Sequence, residues 1–319
     1  METAPEISVV VPLYNEEKTA EELVASVKST LEEIGGTWEL VLVSDGSTDR
    51  TDALLQEASR LDTRVKLVVL SRNFGQQAAL CAGMDYARGR SVITMDADLQ
   101  HPPEVLKEMV RLWRGGYEVV FTVRKGAAGA GWLKRLTSNL FYRVLRRLSR
   151  IDVRAGAADF RLLDRAVVEC LGGFHERHLF YRGLVNWVGF RQIPLEYAAT
   201  PRFAGKSKYT YKKMLSLAED ALLSFSELPL KLAIVAGSLA MLLVLAYAVH
   251  ITVLFALGEH VEPGWTSLMC VLLIFGSTIL LSLGVIGLYI GRIYEEVKRR
   301  PRYIVRRDFG FERPPEVRD

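Results

Sequence analysis

The chain has 319 residues, 41 Lys and Arg against 37 Asp and Glu, with half of it hydrophobic and 24% charged. A mean hydropathy of +0.14 beside so much charge requires the two kinds of residue to be segregated along the chain. They are: Leu232–Gly258 and Pro263–Gly291 contain no Asp, Glu, Lys or Arg, and each exceeds the ~20 residues that span a bilayer, which excludes a wholly soluble protein, a disordered tail and a small disulfide scaffold.

From the N-terminus to about residue 125, strand and helix patterns alternate. Ile7–Val11 reads as a buried strand ending at Pro12, and Thr19–Glu33 sets Leu23, Val27 and Leu31 at helical spacing. Leu40–Val43 is a strand, Asp49–Leu61 a helix with Asp49 at its N-cap, and Val65–Leu70 a strand. Gln76–Arg88 is helical, Ser91–Met95 a strand, Pro103–Arg114 a helix and Glu118–Thr122 a strand; Pro102-Pro103 and Gly115-Gly116 punctuate that last helix. Such alternation predicts an α/β fold, a mostly parallel sheet covered on both faces. Trp132–Ser149 places Leu133, Leu136, Leu140, Val144 and Leu148 on one face and basic residues mostly on the other, the pattern of a helix lying on a membrane surface or of an ordinary surface helix packed on the sheet. Lys212–Glu227 is a second amphipathic candidate, leading into the apolar runs. The expected organisation is an α/β domain over residues 1–211, a juxtamembrane helix over 212–228, a two-helix transmembrane hairpin over 229–291 and a basic tail over 292–319.

Topology follows from charge. Arg202, Lys206, Lys208, Lys212, Lys213 and Lys231 precede the first apolar run, and Arg292, Lys298, Arg299, Arg300, Arg302, Arg306 and Arg307 follow the second, whereas the turn Gly258–Gly264 holds two acids and no Lys or Arg. The positive-inside rule puts both ends in the cytoplasm, in the cell (inner) membrane. Three scattered cysteines, Cys81, Cys170 and Cys270, and a short acidic N-terminus without a signal-peptide pattern agree with a cytoplasmic domain.

In parallel sheets ligands sit outside the carboxyl ends of the strands, and three strand ends here carry acids: Pro12-Leu-Tyr-Asn-Glu16, Asp45-Gly-Ser-Thr-Asp49 and Asp96-Ala-Asp-Leu-Gln100. No Gly-x-Gly-x-x-Gly is present, and Gly205-Lys206-Ser207 has Thr200 where a Gly-x-x-x-x-Gly-Lys-Ser/Thr phosphate loop needs its first Gly, which disfavours dinucleotide enzymes and P-loop NTPases. Asp96 and Asp98 with the amide oxygen of Gln100 offer hard oxygen donors to Mg²⁺ or Mn²⁺, leaving positions for phosphates. Asp45 and Glu16 suit a base N–H and ribose hydroxyls. Turns and helix caps explain any one of these motifs equally well; their joint placement is what points to a site. His101 stands next to Gln100, as a loop residue or a neighbour of the metal; Trp187 reads as a packing residue and Trp265 as an interfacial anchor.

Val11–Glu16, Val43–Asp49 and Asp96–Gln100 resemble, in order and spacing, the nucleotide-sugar half of family-2 glycosyltransferases with the GT-A fold. Ser71-Arg-Asn-Phe-Gly75, Ala158-Asp-Phe-Arg-Leu-Leu-Asp164, Arg202-Phe-Ala-Gly-Lys-Ser-Lys-Tyr209 and the two C-terminal apolar runs narrow the resemblance to the polyprenyl-phosphate glycosyltransferases, the group of bactoprenol glucosyltransferases and dolichol-phosphate mannose synthase. It implies a Rossmann-like GT-A catalytic domain followed by two transmembrane helices. Carried over by position, Pro12, Tyr14, Glu16, Asp45 and Asp96 bind the nucleotide sugar, and Asp96, Asp98 and Gln100 hold Mg²⁺ or Mn²⁺. Asp98, Asp159 and Arg161 serve catalysis, with Asp159 standing alternatively as a structural ion-pair partner of Arg161 or Arg165. Arg202, Lys206, Ser207 and Lys208 bind the acceptor phosphate, and Arg124 is a further cation suited by charge to offset the repulsion between acceptor phosphate and donor diphosphate. Gln76-Gln77 departs from a Lys or His common in relatives, Ala158 from a common Gly, and the Gln-x-x-Arg-Trp of processive relatives is absent.

The implied reaction moves one hexose, from UDP-glucose or another UDP-sugar, to undecaprenyl or another polyprenyl phosphate at the cytoplasmic face, with metal and with inversion. Two alternatives stand beside it: a GDP-mannose:polyprenyl-phosphate transferase, and a non-catalytic membrane scaffold with a degenerate nucleotide-sugar fold. A homo-oligomer is expected by family analogy, with Gly276, Gly284, Gly287 and Gly291 permitting close helix packing; a lipid-linked-sugar flippase is a further partner, and nucleic acid is not, since the basic stretches flank the membrane runs.

Overall fold

A computed structural model of the protein describes residues 4–98, 101–102, 104–125, 157–174, 176, 181–198, 228–257 and 264–311. They fall into two compact units, one drawn from within 1–213 and 300–319 and the other from within 214–299.

The first unit is built on an eight-stranded sheet. In chain order its elements are β1 (Ile7–Leu13), α1 (Ala20–Ile34), β2 (Trp38–Ser44), α2 (Thr51–Leu61), β3 (Val65–Leu70), α3 (Gln76–Tyr86), β4 (Ser91–Thr94), α4 (Glu104–Arg114), β5 (Val119–Lys125), β6 (Ala157–Asp164), α5 (Arg165–Gly172), α6 (Tyr181–Trp187), β7 (Gln192–Ala198) and β8 (Val305–Phe309). The spatial order is β7-β5-β6-β4-β1-β2-β3-β8. β4, β1, β2 and β3 are mutually parallel, and β5 pairs parallel with β7. β6 runs antiparallel between β4 and β5, and β8 antiparallel along β3.

Strands buried on both faces read as continuous apolar runs, and every residue of β1 and β2 is buried. Their side chains nonetheless sort by parity. Val9, Val11, Leu40 and Leu42 share one cluster with Leu23, Val27 and Leu31 of α1, Leu55 of α2, and Leu106 and Met109 of α4. Val10 and Val43 face the other way, toward α3: a Cβ placed on Gly83 would lie 2.2 Å from Val10 Cγ1 and 3.0 Å from Val43 Cγ2. Each fully buried Val or Leu contributes about 1.5–3 kcal/mol relative to exposure, so the sheet is held from both sides, as the alternation predicted.

The strands and helices expected before residue 125 all form. One local expectation is corrected: α2 starts at Thr51, after Arg50, so Asp49 lies one residue too early to be its N-cap. The Asp49 carboxylate still accepts the Thr51 N–H at 3.0 Å, because the chain turns one residue before the helix begins. Trp187, expected as a packing residue, is 63% exposed at the end of α6 and meets only the Phe174 ring edge-on at 5.6 Å among the described ring contacts. The amphipathic segments expected at 132–149 and 212–227 lie outside the described residues.

The second unit holds α7 (Leu228–Ala256) and α8 (Trp265–Val297). At 1.5 Å per residue these run about 43 and 50 Å. Both are long and apolar enough to cross a membrane, over Ala233–Leu254 and Ser267–Val297.

Candidate active site

The strand order brings the three acidic motifs to one place, since β4, β1 and β2 are neighbours and their carboxyl ends point the same way. The loop after β1 and the loop after β2 are knitted together by side chains. Asn15, at a positive φ of 53°, accepts the Thr48 N–H at 2.8 Å and donates its own N–H to Ser47 Oγ at 3.2 Å. The Glu16 N–H donates to Thr51 Oγ1 at 2.9 Å, and the Glu17 N–H to Asp49 Oδ2 at 3.3 Å. Of the residues the resemblance assigns to the nucleotide sugar, Pro12 is buried within β1, Tyr14 is exposed beyond its end, and Glu16 is half-buried. Thr19 Oγ1 donates to the Glu16 carboxylate at 3.2 Å.

Asp45, directly after β2, is 3% exposed. Its two oxygens each accept a backbone N–H from the β3–α3 connection, Phe74 at 2.7 Å and Gly75 at 2.9 Å. Burial pushes its pKa above the ordinary carboxylate value, while the two N–H donors and the Arg72 charge pull the other way. The next residue, Gln76, opens α3 and donates its side-chain amide to Asp96 Oδ1 at 2.6 Å. Asp45 and Asp96, beyond the ends of separate strands, are thus linked through residues 74–76. Gly46 makes the approach feasible: it has φ +65°, and a Cβ there would lie 2.3 Å from the Arg72 carbonyl carbon.

Asp96 and Asp98 follow β4 and are both partly exposed. His101 is 5% exposed, with its ring edge-on to Phe160 at 4.5 Å and tilted against Tyr197 at 5.8 Å. Its Nε2 lies 3.4 Å from Asp96 Oδ2, and its Nδ1 is buried without a hydrogen-bond partner among the described residues. β6 supplies the remaining acid. Thr94 pairs with Arg161, and Thr94 Oγ1 donates to the Asp159 carbonyl at 2.6 Å, which sets Asp159 just past the end of β4. Asp159 and Arg161 are both buried, with Arg161 Nη2 3.7 Å from Asp159 Oδ1.

The donor chemistry at Asp96 and Asp98 fits a hard divalent cation, since both present carboxylate oxygens at an open strand end. No group of three or more His, Cys, Asp or Glu able to hold a metal occurs among the described residues. Gln100, Arg202, Lys206, Ser207 and Lys208 lie outside the described residues, and Arg124 is described only by its backbone, paired in β5 with Tyr197 of β7. Sequence reading treated Gln76 only as a departure from a pattern; its contact with Asp96 needed the fold, because the two stand 20 residues apart.

The sequence profile of glycosyl transferase family 2 matches residues 8–172, just over half the chain and the stretch that carries Asp45, Asp96, Asp98 and Asp159. The chain belongs to glycosyl transferase family 2. It is a glycosyltransferase, with a GT-A-type mixed α/β sheet. Among its family-2 relatives is the uncharacterized glycosyltransferase YkcC of Bacillus subtilis (strain 168), 45% identical over 98% of this chain and 97% of that one. Another is the glycosyltransferase sll0501 of Synechocystis sp., 44% identical over 97% of this chain and 98% of that one. A third, from Shigella phage SfII, bears the name bactoprenol glucosyl transferase and is 35% identical over 94% of this chain and 97% of that one.

Proposed function

We propose that this glycosyltransferase moves one hexose from a UDP-sugar to a polyprenyl phosphate at the cytoplasmic face of a membrane, with inversion and with a divalent cation held by Asp96, Asp98 and Gln100. The observation that carries this reading is the convergence of Asp45, Asp96, Asp98 and Asp159 at one end of the sheet, in a chain that also holds two bilayer-length apolar helices. Relatives named bactoprenol glucosyl transferase, alike over most of both chains, support the lipid acceptor.

In the reaction the acceptor phosphate oxygen bonds to C1 of the sugar as the bond from C1 to the diphosphate oxygen breaks, and the leaving nucleoside diphosphate takes the electron pair. A divalent cation, when bound, supplies Lewis-acid stabilisation of the charge on that diphosphate. The chain's own residues do the rest. With a second pKa of about 6, the acceptor phosphate is mostly a dianion at neutral pH and needs little help from a base. Its difficulty is repulsion from the donor diphosphate. Arg161 is buried close to Asp159, where a fixed guanidinium is screened little by water; Arg124, Arg202, Lys206 and Lys208 add further cations, and Ser207 a hydroxyl donor. Asp159, in β6 just beyond the end of β4, orients the acceptor or stabilises positive charge at C1. Asp45 and the knitted loops after β1 and β2 form the nucleoside end.

The test is transfer by the purified full chain in detergent, offered a panel of UDP- and GDP-sugars with undecaprenyl phosphate. The expected product is a lipid carrying one sugar, formed from a UDP-hexose, lost on chelation and restored by Mg²⁺ or Mn²⁺. Turnover of GDP-mannose instead would overturn the donor assignment. Absence of any lipid product, or transfer indifferent to chelator, would overturn the whole reading.

A further inference from the structure

The residues that follow the second apolar helix return to the edge of the sheet. β8 runs antiparallel to β3, with Leu67 opposite Phe309, Val68 opposite Asp308 and Val69 opposite Arg307 before the register shifts to set Leu70 opposite Val305. One residue beyond, the Ser71 N–H donates to the Ile304 carbonyl at 2.8 Å. The same segment holds α3 by its side chains. The Tyr303 hydroxyl donates to Asp85 at 2.9 Å, and Arg302 Nη1 lies 3.4 Å from the buried Cys81 thiol. Farther along, the Tyr86 hydroxyl donates to Asp308 at 3.3 Å, and its ring meets Phe311 edge-on at 4.8 Å.

Residues 302–311 therefore grip the end of β3 and the body of α3, the two elements that flank the 71–75 connection. That connection is the one anchored on Asp45, and it delivers Gln76 to Asp96. Covering a sheet edge requires only a strand with a polar outer side; it does not require side chains reaching to a helix. Arg302 moreover has its Nη2 buried without a hydrogen-bond partner among the described residues, an unfavourable feature that edge protection does not explain. Burial together with Asp85 raises the Tyr303 pKa, so this hydroxyl remains a donor at any working pH.

We propose that Arg302 and Tyr303 are positioning residues for the donor site: by clamping α3 against the end of β3, they hold the 71–75 connection on Asp45 and Gln76 on Asp96. The proposal rests on the reading of Asp96 as a group that binds the donor diphosphate.

The experiment compares the full chain with Arg302→Met, Tyr303→Phe and the charge-conserving Arg302→Lys. Three readouts are taken: amide hydrogen exchange across residues 71–76 without ligand, the Kd for UDP in the presence of Mn²⁺, and the KM for undecaprenyl phosphate. Arg302→Met and Tyr303→Phe are expected to speed exchange selectively at 71–76 and weaken UDP by about three- to tenfold, the size typical of mutations that act through a network. The acceptor KM stays unchanged, and Arg302→Lys recovers part of the UDP affinity. Exchange at 71–76 equal to the parent, or faster exchange spread evenly over the sheet with a lowered melting temperature, would overturn the clamp. A parent enzyme that binds no UDP would overturn the donor reading instead, while the exchange pattern still decides whether Arg302 and Tyr303 clamp the connection.

Discussion

Asp45 meets the backbone of the 71–75 connection with both carboxylate oxygens. The sequence presented it as an acceptor for a nucleoside, and in the fold each oxygen already accepts one protein N–H. A carboxylate has further lone pairs, so the two roles are compatible. Replacing Asp45 with Asn leaves one acceptor oxygen for two donors and turns an NH₂ toward the other N–H. We expect Asp45→Asn to cost about 1–3 kcal/mol, the penalty of an unsatisfied buried donor, read as a lower melting temperature of the full chain in detergent. The pH dependence has a definite sign. Because burial raises the Asp45 pKa above its unfolded value, the folded state binds this proton more tightly than the unfolded state does. The contribution is complete below the ordinary carboxylate range and is lost as pH rises through the elevated value. The stability gap between parent and Asp45→Asn should therefore narrow as pH rises from the ordinary carboxylate range through that elevated value; a gap that widens over the same interval would contradict the assignment.

At the scale of elements, what the sequence disclosed depended on how cleanly each segment separates apolar from polar residues. β1 to β4 are runs of Val, Leu and Ile sealed on both faces, and α1 shows Leu23, Val27 and Leu31 at one-turn intervals, so all were legible. β6 was not, because Ala157–Asp164 interrupts its apolar residues with two buried charges, Asp159 and Arg161. Its antiparallel insertion between β4 and β5 has no local signature. β8 was read as part of a basic tail for the opposite reason: three of the five residues in Val-Arg-Arg-Asp-Phe are charged, as suits an edge strand with an exposed side. The fit between elements is equally hidden in sequence, and two glycines carry it. At Gly83 a methyl would enter the space of Val10, so Gly83→Ala should cost about 1–3 kcal/mol by overpacking. At Gly46 the obstacle is the backbone of Arg72 and Asn73 together with a φ of +65°, neither of which a rotamer change relieves. Gly46→Ala should push the 71–75 connection off Asp45 and reduce sugar transfer more than Gly83→Ala does at equal loss of melting temperature. Equal activity losses at matched stability would refute this ranking.

For the whole molecule, the segregation that forced two apolar runs into the composition meets a constraint from the sheet. β8, which follows both apolar helices, hydrogen-bonds to β3, which precedes them. Two strands of one sheet must lie on the same side of a bilayer, so the intervening chain crosses an even number of times. α7 and α8 are the two described helices long and apolar enough to do so. From the excess of Lys and Arg at the outer ends of the runs, against two acids and no basic residue in the Gly258–Gly264 turn, we expect that side to be the cytoplasmic one. Strand pairing asks only for an even number of crossings, and the charge asymmetry, an independent feature, leads us to expect a hairpin whose turn is the translocated part. The expectation is tested by labelling intact cells with a membrane-impermeant maleimide, using His260→Cys and, separately, Leu61→Cys at an exposed position at the end of α2, each in a Cys170→Ser background to remove the exposed native thiol. His260→Cys should label from outside, and Leu61→Cys only after lysis. Labelling of both from the same side would mean that the apolar helices do not form a spanning hairpin.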